Sequence, residues 1–199
     1  MADSLPRIAQ TTRTVSRRCL TLVTSLLAVA VLAFFEAQAA DAGPDSAKWR
    51  ALNRTLDLRF PGVANLSTTE LATWLSDRVR PPPLLVDVRE AAEYAVSHLP
   101  GAVWAGTEKA QAELLKNTAP ERPLVFYCSV GWRSAQATQR AQKSGRAAAF
   151  NLRGSIFQWA NEGRPLVGRR DEPTTLVHPY DNTWGQLLDR PRWSREPLP

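Results

Sequence analysis

Short apolar runs alternate with amphipathic segments along most of this chain, and the alternation predicts its architecture. Five runs have apolar centres and the length of strands: residues 63–66, 84–88, 102–104, 124–127 and 148–152. The segments between them repeat apolar residues at helical spacing. Continuous apolar strands separated by helices are typical of a parallel sheet that helices cover on both faces. The pattern therefore predicts an α/β fold.

Helix signals support the same order of elements. Ser67 and Glu70 have the spacing of a capping box, after which apolar residues continue at helical spacing to Val79. Three prolines at 81–83 then stop this helix before the second strand. Four further helices are predicted at residues 90–97, 108–116, 134–144 and 156–162.

The first 39 residues have the pattern of an export signal. Arg13, Arg17 and Arg18 precede an apolar run at 20–35, and Ala37 and Ala39 provide the small residues that a signal peptidase recognises. We predict a cleaved signal peptide, residues 1–39, and a periplasmic location. An uncleaved anchor in the membrane, facing the periplasm, is the alternative, and only then would the protein contact a membrane. The pair Arg17-Arg18 resembles that of a twin-arginine signal, so either export route is open.

The remaining boundaries follow from changes in composition. Residues 40–62 are predicted to form an N-terminal linker, because they begin with a polar stretch that contains Gly and Pro. The alternating pattern defines a domain at 63–168, and a tail rich in Pro, Arg and Trp follows at 169–199. We expect the aromatic residues of the tail to pack onto the domain, and His178 to make a local bond there instead of acting as a catalytic base.

Charge and composition narrow the classes of function. The 199-residue chain carries a net charge of +6, and loss of the signal, with four arginines and two acidic residues, leaves it near +4. The basic residues are scattered, whereas a nucleic-acid binder clusters them on one face. The sequence shows no metal-ligand spacing, no phosphate-binding glycine motif and no Ser/His/Asp pattern. We therefore expect no nucleic acid, no metal and no other cofactor.

Cys128 is the candidate nucleophile. It follows the apolar strand at 124–127 and precedes a helical pattern, where exposed N–H groups stabilise the thiolate, the reactive form of cysteine. After signal cleavage it would be the one cysteine of the chain, which favours a reactive thiol over an internal disulfide. A buried structural cysteine is the alternative.

The residues that follow Cys128 form the predicted substrate-binding loop. Gly131 allows a tight turn, Arg133 adds a fixed positive charge, and Trp132 is expected at the mouth of the pocket. The predicted loop comprises Ser129, Val130, Gly131, Trp132, Arg133 and Ser134.

Asp87 and Arg89 end the neighbouring strand and are predicted to support the site. Asp87 could fix the backbone of the loop through a hydrogen bond, or the two residues could form an ion pair at the end of the strand. A supporting role is favoured, because a carboxylate very close to the thiolate would oppose its ionisation.

Three ordered blocks stand out along the chain: the segment at 84–102, the loop at 128–134 and the closing block at 152–166. Together they resemble the rhodanese (sulfurtransferase) family, and the resemblance extends over about 63–167. Ser97 stands where the family commonly has Gly, and Arg153-Gly154 where Gly-Gly is usual. The resemblance implies a rhodanese-like, five-stranded parallel sheet and a thiosulfate sulfurtransferase that needs no cofactor.

The implied reaction transfers sulfur through Cys128. The thiolate would take the sulfane sulfur from a small anionic donor such as thiosulfate, and cyanide or a thiol would then remove it. Two alternatives remain: a cysteine phosphatase or arsenate reductase on the same fold, and a non-catalytic exported binding module. Cys128 and Arg133 have a C-x₄-R spacing, whereas the phosphatases carry C-x₅-R and need a wider ring of N–H groups around a phosphoryl group.

Overall fold

Five parallel strands form the central sheet of the computed structural model, which describes residues 44–197. In chain order they are β1 (Asn65–Leu66), β2 (Leu84–Asp87), β3 (Val103–Trp104), β4 (Leu124–Tyr127) and β5 (Ala149–Leu152). Their order across the sheet is β1-β5-β4-β2-β3, so β4 is central. The predicted α/β fold with a parallel five-stranded sheet is confirmed. The predicted signal peptide, residues 1–39, lies outside the described residues.

Helices cover both faces of this sheet, as predicted. They are α1 (Pro44–Arg59), α2 (Thr68–Ser76), α3 (Ala91–Val96), α4 (Glu108–Asn117), α5 (Trp132–Lys143) and α6 (Ser155–Asn161). Successive side chains of a strand point to opposite faces. Accordingly Val125 and Tyr127 of β4 belong to one buried cluster, and Leu124 and Phe126 to the other. Within residues 44–197, no helix is both long enough and apolar enough to cross a membrane.

The predicted linker at 40–62 is wrong in its described part, because residues 44–59 form helix α1. Leu52, Leu56 and Phe60 lie four residues apart, so they share one face of the helix and its extension, and all three are buried in the larger cluster. Because the segment is polar on its other faces, its composition resembles that of a linker.

Helix α2 begins as predicted but ends earlier. The capping box is present: the Ser67 N–H donates to Glu70 Oε2 at 2.7 Å, and the Glu70 N–H donates to Ser67 Oγ at 3.1 Å. The helix ends at Ser76 because the carboxylate of Asp77 accepts the N–H groups of the residues that follow, among them Val79 at 2.8 Å. Val79, predicted on the buried face, is 93% exposed.

The C-terminal segment packs onto the domain, as predicted. Strands β6 (Leu166–Val167) and β7 (Pro173–Thr174) form a small antiparallel pair, and short 3₁₀ turns follow. Val177 and Leu187 are buried in the larger cluster, and Trp184 packs against it. His178 makes the expected local bond, its Nδ1 accepting the N–H of Tyr180 at 3.1 Å.

Candidate active site

Cys128 lies directly after β4, at the carboxyl edge of the sheet, and a tight turn leads from it into α5. The helix begins at Trp132, two residues before the predicted start at 134, so Arg133 and Ser134 lie in its first turn. Gly131 caps the helix with φ +109°, a backbone conformation that residues other than glycine rarely adopt. A Cβ at this position would lie 3.3 Å from Leu56 Cδ1. The backbone conformation therefore favours glycine, and a side chain there would also crowd Leu56 of α1.

The first turn of α6 holds the Cys128 turn in place. The N–H of Cys128 donates to Ser155 Oγ at 3.1 Å. The carbonyl oxygens of Cys128 and Ser129 accept the N–H groups of Ile156 and Phe157, each at 3.1 Å. Because these carbonyl groups are directed at α6, they do not compete for the N–H groups around the thiol.

The Cys128 sulfur is buried and surrounded by hydrogen-bond donors. Cys128 is 1% exposed, the Gly131 N–H donates to its Sγ at 3.1 Å, and the Ser134 hydroxyl lies 3.5 Å away. Burial raises the pKa of the Cys128 thiol, but the charge of Arg133, the Ser134 hydroxyl and the N–H groups of Ser134 and Gly131 together outweigh it, and the net pKa lies below the ordinary value. The site therefore stabilises the thiolate relative to that of an ordinary cysteine.

Arg133 is held by an acidic residue that the sequence analysis did not assign to the site. Arg133 Nη1 donates to Glu93 Oε2 at 2.8 Å, and its Nη2 donates to Glu93 Oε1 at 2.9 Å and to Ser129 Oγ at 3.0 Å. Ser129 in turn donates to Glu93 Oε1 at 2.7 Å. The guanidinium near the thiol thus has its charge balanced by a carboxylate from α3.

Glu93 is ionised in this environment although it is 1% exposed. Burial raises the pKa of the Glu93 carboxyl, but the hydrogen bonds and charge of Arg133, the charge of Arg89 and the bond from Ser129 hold the net pKa below its usual value. The one signal in the sequence was the position of Glu93 within the first family-like block.

Asp87 and Arg89 form an ion pair at the end of β2, the second of the two predicted arrangements. Both side chains are fully buried, and Arg89 Nη2 lies 2.6 Å from Asp87 Oδ2. The same nitrogen donates to the carbonyl oxygen of Ser97 at 2.5 Å. The pair therefore ties β2 to the end of α3, which carries Glu93, and supports the site through that helix.

A cavity of about 310 Å³ opens above the Cys128 sulfur. Its lining residues are Cys128, Ser129, Val130, Trp132, Arg133, Tyr180 and Trp184. The structure thus brings Trp132 to the cavity, where its ring packs edge-on against Phe60 with centroids 5.3 Å apart. Tyr180 and Trp184 come from the C-terminal segment, and no pattern in the sequence predicts them at the cavity.

The chemistry available at this site is that of a thiolate and of fixed hydrogen-bond donors. Among the residues that the structure describes, no group of three or more His, Cys, Asp or Glu side chains could hold a metal ion. The described part of the chain contains one cysteine, and its thiol is free.

Comparison with known proteins identifies the family. Residues 71–162 match the family model of the rhodanese-like domain. A sulfurtransferase of Allochromatium vinosum is 36% identical over 84 residues, which cover 42% of this chain and 78% of that protein. The human thiosulfate:glutathione sulfurtransferase is 33% identical over 112 residues, which cover 49% of this chain and 94% of that protein.

Two further similarities differ in how much of each protein they cover. The probable adenylyltransferase/sulfurtransferase MoeZ of Mycobacterium tuberculosis is 31% identical over 103 residues, and the match spans 51% of this chain but 26% of that protein's length. The crystal structure of the Alr3790 protein from Anabaena sp. has a TM-score of 0.49 at 21% identity, over 53% of this chain and 83% of that chain. The family match, together with the two sulfurtransferase relatives that this chain covers over most of their length, shows that the chain belongs to the rhodanese-like domain family.

Proposed function

We propose that this protein is a sulfurtransferase that carries a sulfane sulfur as a persulfide on Cys128. The observation that supports this best is the setting of the sulfur: a buried thiol whose pKa is lowered and whose Sγ accepts the Gly131 N–H. A thiolate is the nucleophile that the reaction needs. Relatives named as sulfurtransferases support the same assignment.

In the first step the Cys128 thiolate attacks the outer sulfur of a donor such as thiosulfate. A bond forms between the two sulfurs, the bond to the sulfonate sulfur breaks, and sulfite leaves with its electron pair. The resulting persulfide is an anion that the N–H groups of the turn and of the first turn of α5 stabilise. In the second step cyanide or a thiol attacks the outer sulfur, and the Cys128 thiolate is regenerated.

The short loop supports sulfur over phosphate as the transferred group. Arg133 is the fifth residue after Cys128, and the Gly131 N–H is already within 3.1 Å of Sγ. A persulfide adds one atom beyond this sulfur, whereas a phosphoryl group needs donors around three oxygens. We therefore expect turnover of sulfur donors and none of aryl phosphates, and robust aryl phosphatase activity without sulfur transfer would reverse the assignment.

Intact-protein mass spectrometry tests the persulfide directly. Thiosulfate should add the mass of one sulfur atom, and cyanide should remove it. Cys128→Ser should abolish both events, whereas Cys19→Ser, which removes the other cysteine of the chain, should leave them intact. Sulfur that still adds to the Cys128→Ser protein would contradict the proposal.

Export to the periplasm is also part of the proposal, and it rests on the signal-like pattern of residues 1–39. Cell fractionation with N-terminal sequencing should find a mature chain that begins at or near Ala40. A membrane-bound chain that retains Met1 would instead indicate an anchor.

A further inference from the structure

The C-terminal segment beyond the family match is anchored on both sides of the stretch that reaches the cavity. The match ends at residue 162, yet Val177 is fully buried, and its N–H donates to the carbonyl oxygen of Arg192 at 2.7 Å. On the other side, Asn161 Nδ2 donates to the carbonyl oxygen of Leu187 at 2.9 Å. The stretch at 178–186 is therefore held at both ends.

Local bonds then direct two aromatic side chains of this stretch to the cavity. Tyr180 has φ +63°, unusual for a residue other than glycine, and its N–H is bonded to His178. Asp181 Oδ1 accepts the N–H groups of Thr183 and Trp184 at 2.8 and 2.7 Å, which fixes the turn that carries Trp184. Such fixed positions are expected of residues that shape a binding site.

Three of the seven residues that line the cavity are aromatic, and the one cation among the seven is already paired. Trp132, Tyr180 and Trp184 face the space above Cys128. Arg133 is the one basic residue among those that line the cavity; two of its nitrogens donate to Glu93, and its guanidinium carbon lies 4.8 Å from the centroid of the Tyr180 ring. A second negative charge on a donor would therefore find no unpaired cation in this lining.

The size of the cavity also favours a donor larger than thiosulfate. A volume of about 310 Å³ falls at the lower end of the range of pockets that bind drug-sized organic molecules, about 300–1,000 Å³. Thiosulfate, with five heavy atoms, would leave much of the aromatic wall uncovered.

We infer that the tail residues Tyr180 and Trp184 select the sulfur donor, and that the site prefers an organic thiosulfonate with an aromatic group to inorganic thiosulfate. Such a donor, R–SO₂–S⁻, carries a single charge and presents a ring to the wall. The Cys128 thiolate attacks its outer sulfur, the bond to the sulfonyl sulfur breaks, and the sulfinate R–SO₂⁻ leaves with the electron pair. This inference rests on the proposed sulfurtransferase function and adds the class of donor.

The test compares three donors with cyanide as the common acceptor and thiocyanate as the readout. Benzenethiosulfonate and methanethiosulfonate have the same charge and differ in the ring, and thiosulfate adds the second charge. We expect kcat/KM to fall in the order benzenethiosulfonate, methanethiosulfonate, thiosulfate. The change in the ratio of kcat/KM for the first two donors between the wild type and a variant of the wall isolates the contact with the ring, because the difference in leaving group is the same in both proteins.

Variants of the wall identify the residues that make this contact. Trp184→Ala should lower the ratio roughly tenfold, and Tyr180→Leu should lower it as well, because each removes an aromatic partner of the ring. Trp184→Phe should restore most of it. The matched control is Trp104→Ala, since Trp104 is a half-exposed tryptophan of β3 that does not line the cavity.

The outcomes separate this inference from the proposed function. If thiosulfate yields thiocyanate but the ratio is the same in the wild type, Trp184→Ala and Tyr180→Leu, the donor preference is wrong and the sulfurtransferase stands. If none of the donors yields thiocyanate, both fall.

Discussion

The sharpest prediction concerns Glu93, the residue that the sequence analysis left out of the site. Its carboxylate accepts four hydrogen bonds: two from Arg133, one from Ser129 and one from the N–H of Glu90 at 3.1 Å. Glu93→Gln keeps the shape but leaves one oxygen, which can accept two of these bonds. The other two donors then face an amide N–H₂ group that cannot accept.

The cost of this change can be worked from the bonds lost. A hydrogen bond to a charged group contributes about 1.5–3 kcal/mol, and removal of one partner of a buried ion pair costs about 3–5 kcal/mol. The Arg133 side chain is 29% exposed, so water can solvate part of the charge that is left behind. We therefore expect Glu93→Gln to lower the free energy of unfolding by about 3 kcal/mol at neutral pH.

The same reasoning fixes the dependence on pH. Because the folded-state pKa of Glu93 lies below its usual value, its ionisation stabilises the protein fully above the unfolded pKa of about 4.3. This contribution is lost as the pH falls through the lower, folded pKa. Glutamine does not titrate, so the difference in stability between wild type and variant should shrink as the pH is lowered below about 4.3.

Urea unfolding of both proteins at several pH values measures the difference. The matched control is Glu108→Gln, because Glu108 pairs with Arg140 at 3.1 Å but its side chain is 78% exposed. An exposed ion pair of this kind should contribute less than about 1 kcal/mol to the free energy of unfolding. If Glu93→Gln costs no more than Glu108→Gln, the buried carboxylate does not hold Arg133 as described.

Three further changes have defined outcomes. Arg133→Gln removes the charge that lowers the pKa of the Cys128 thiol, so this pKa should rise. The pH dependence of alkylation by iodoacetamide measures it, and an unchanged pKa would show that the charge is unimportant. Leu56→Ala should cost about 3 kcal/mol of unfolding free energy in urea, since α1 packs into the core; a loss near zero would mean that α1 does not contribute. Asp87→Asn should cost about 3–5 kcal/mol in the same assay by leaving the buried Arg89 charge unpaired, and an unchanged midpoint would argue against a structural ion pair.

The elements next to Cys128 were the most predictable from sequence. Strand β4 has the predicted bounds, because four apolar residues lie between Pro123 and Cys128, and the central position buries both of its faces. The start of the helix after the loop was predicted two residues late. Trp132 and Arg133 were assigned to the loop, because the sequence alone does not show that Gly131 caps the helix.

Helix α1 shows where local sequence is insufficient. Its apolar positions form a narrow stripe among charged and polar residues, so neither composition nor length distinguishes it from a linker. What stabilises the helix is tertiary: Leu56 lies against Gly131 of the turn, and Phe60 packs on Trp132. A segment predicted to be a linker thus supports the back of the turn that follows Cys128.

The charges of the site show a second limit of prediction from local sequence. They also explain how the site can be reactive without being strongly cationic. Arg133 is visible in the sequence at a fixed distance from Cys128, but its partner Glu93 lies forty residues earlier, on a helix that only the fold brings close. At short range the arginine still lowers the pKa of the thiol, together with the N–H groups of the turn. At longer range the carboxylate offsets its charge, and an approaching ligand meets a neutral pair beside aromatic rings. We therefore propose that the turn and Arg133 set the reactivity, whereas residues of α3 and of the C-terminal segment select the ligand. The sequence of the loop does not reveal these residues.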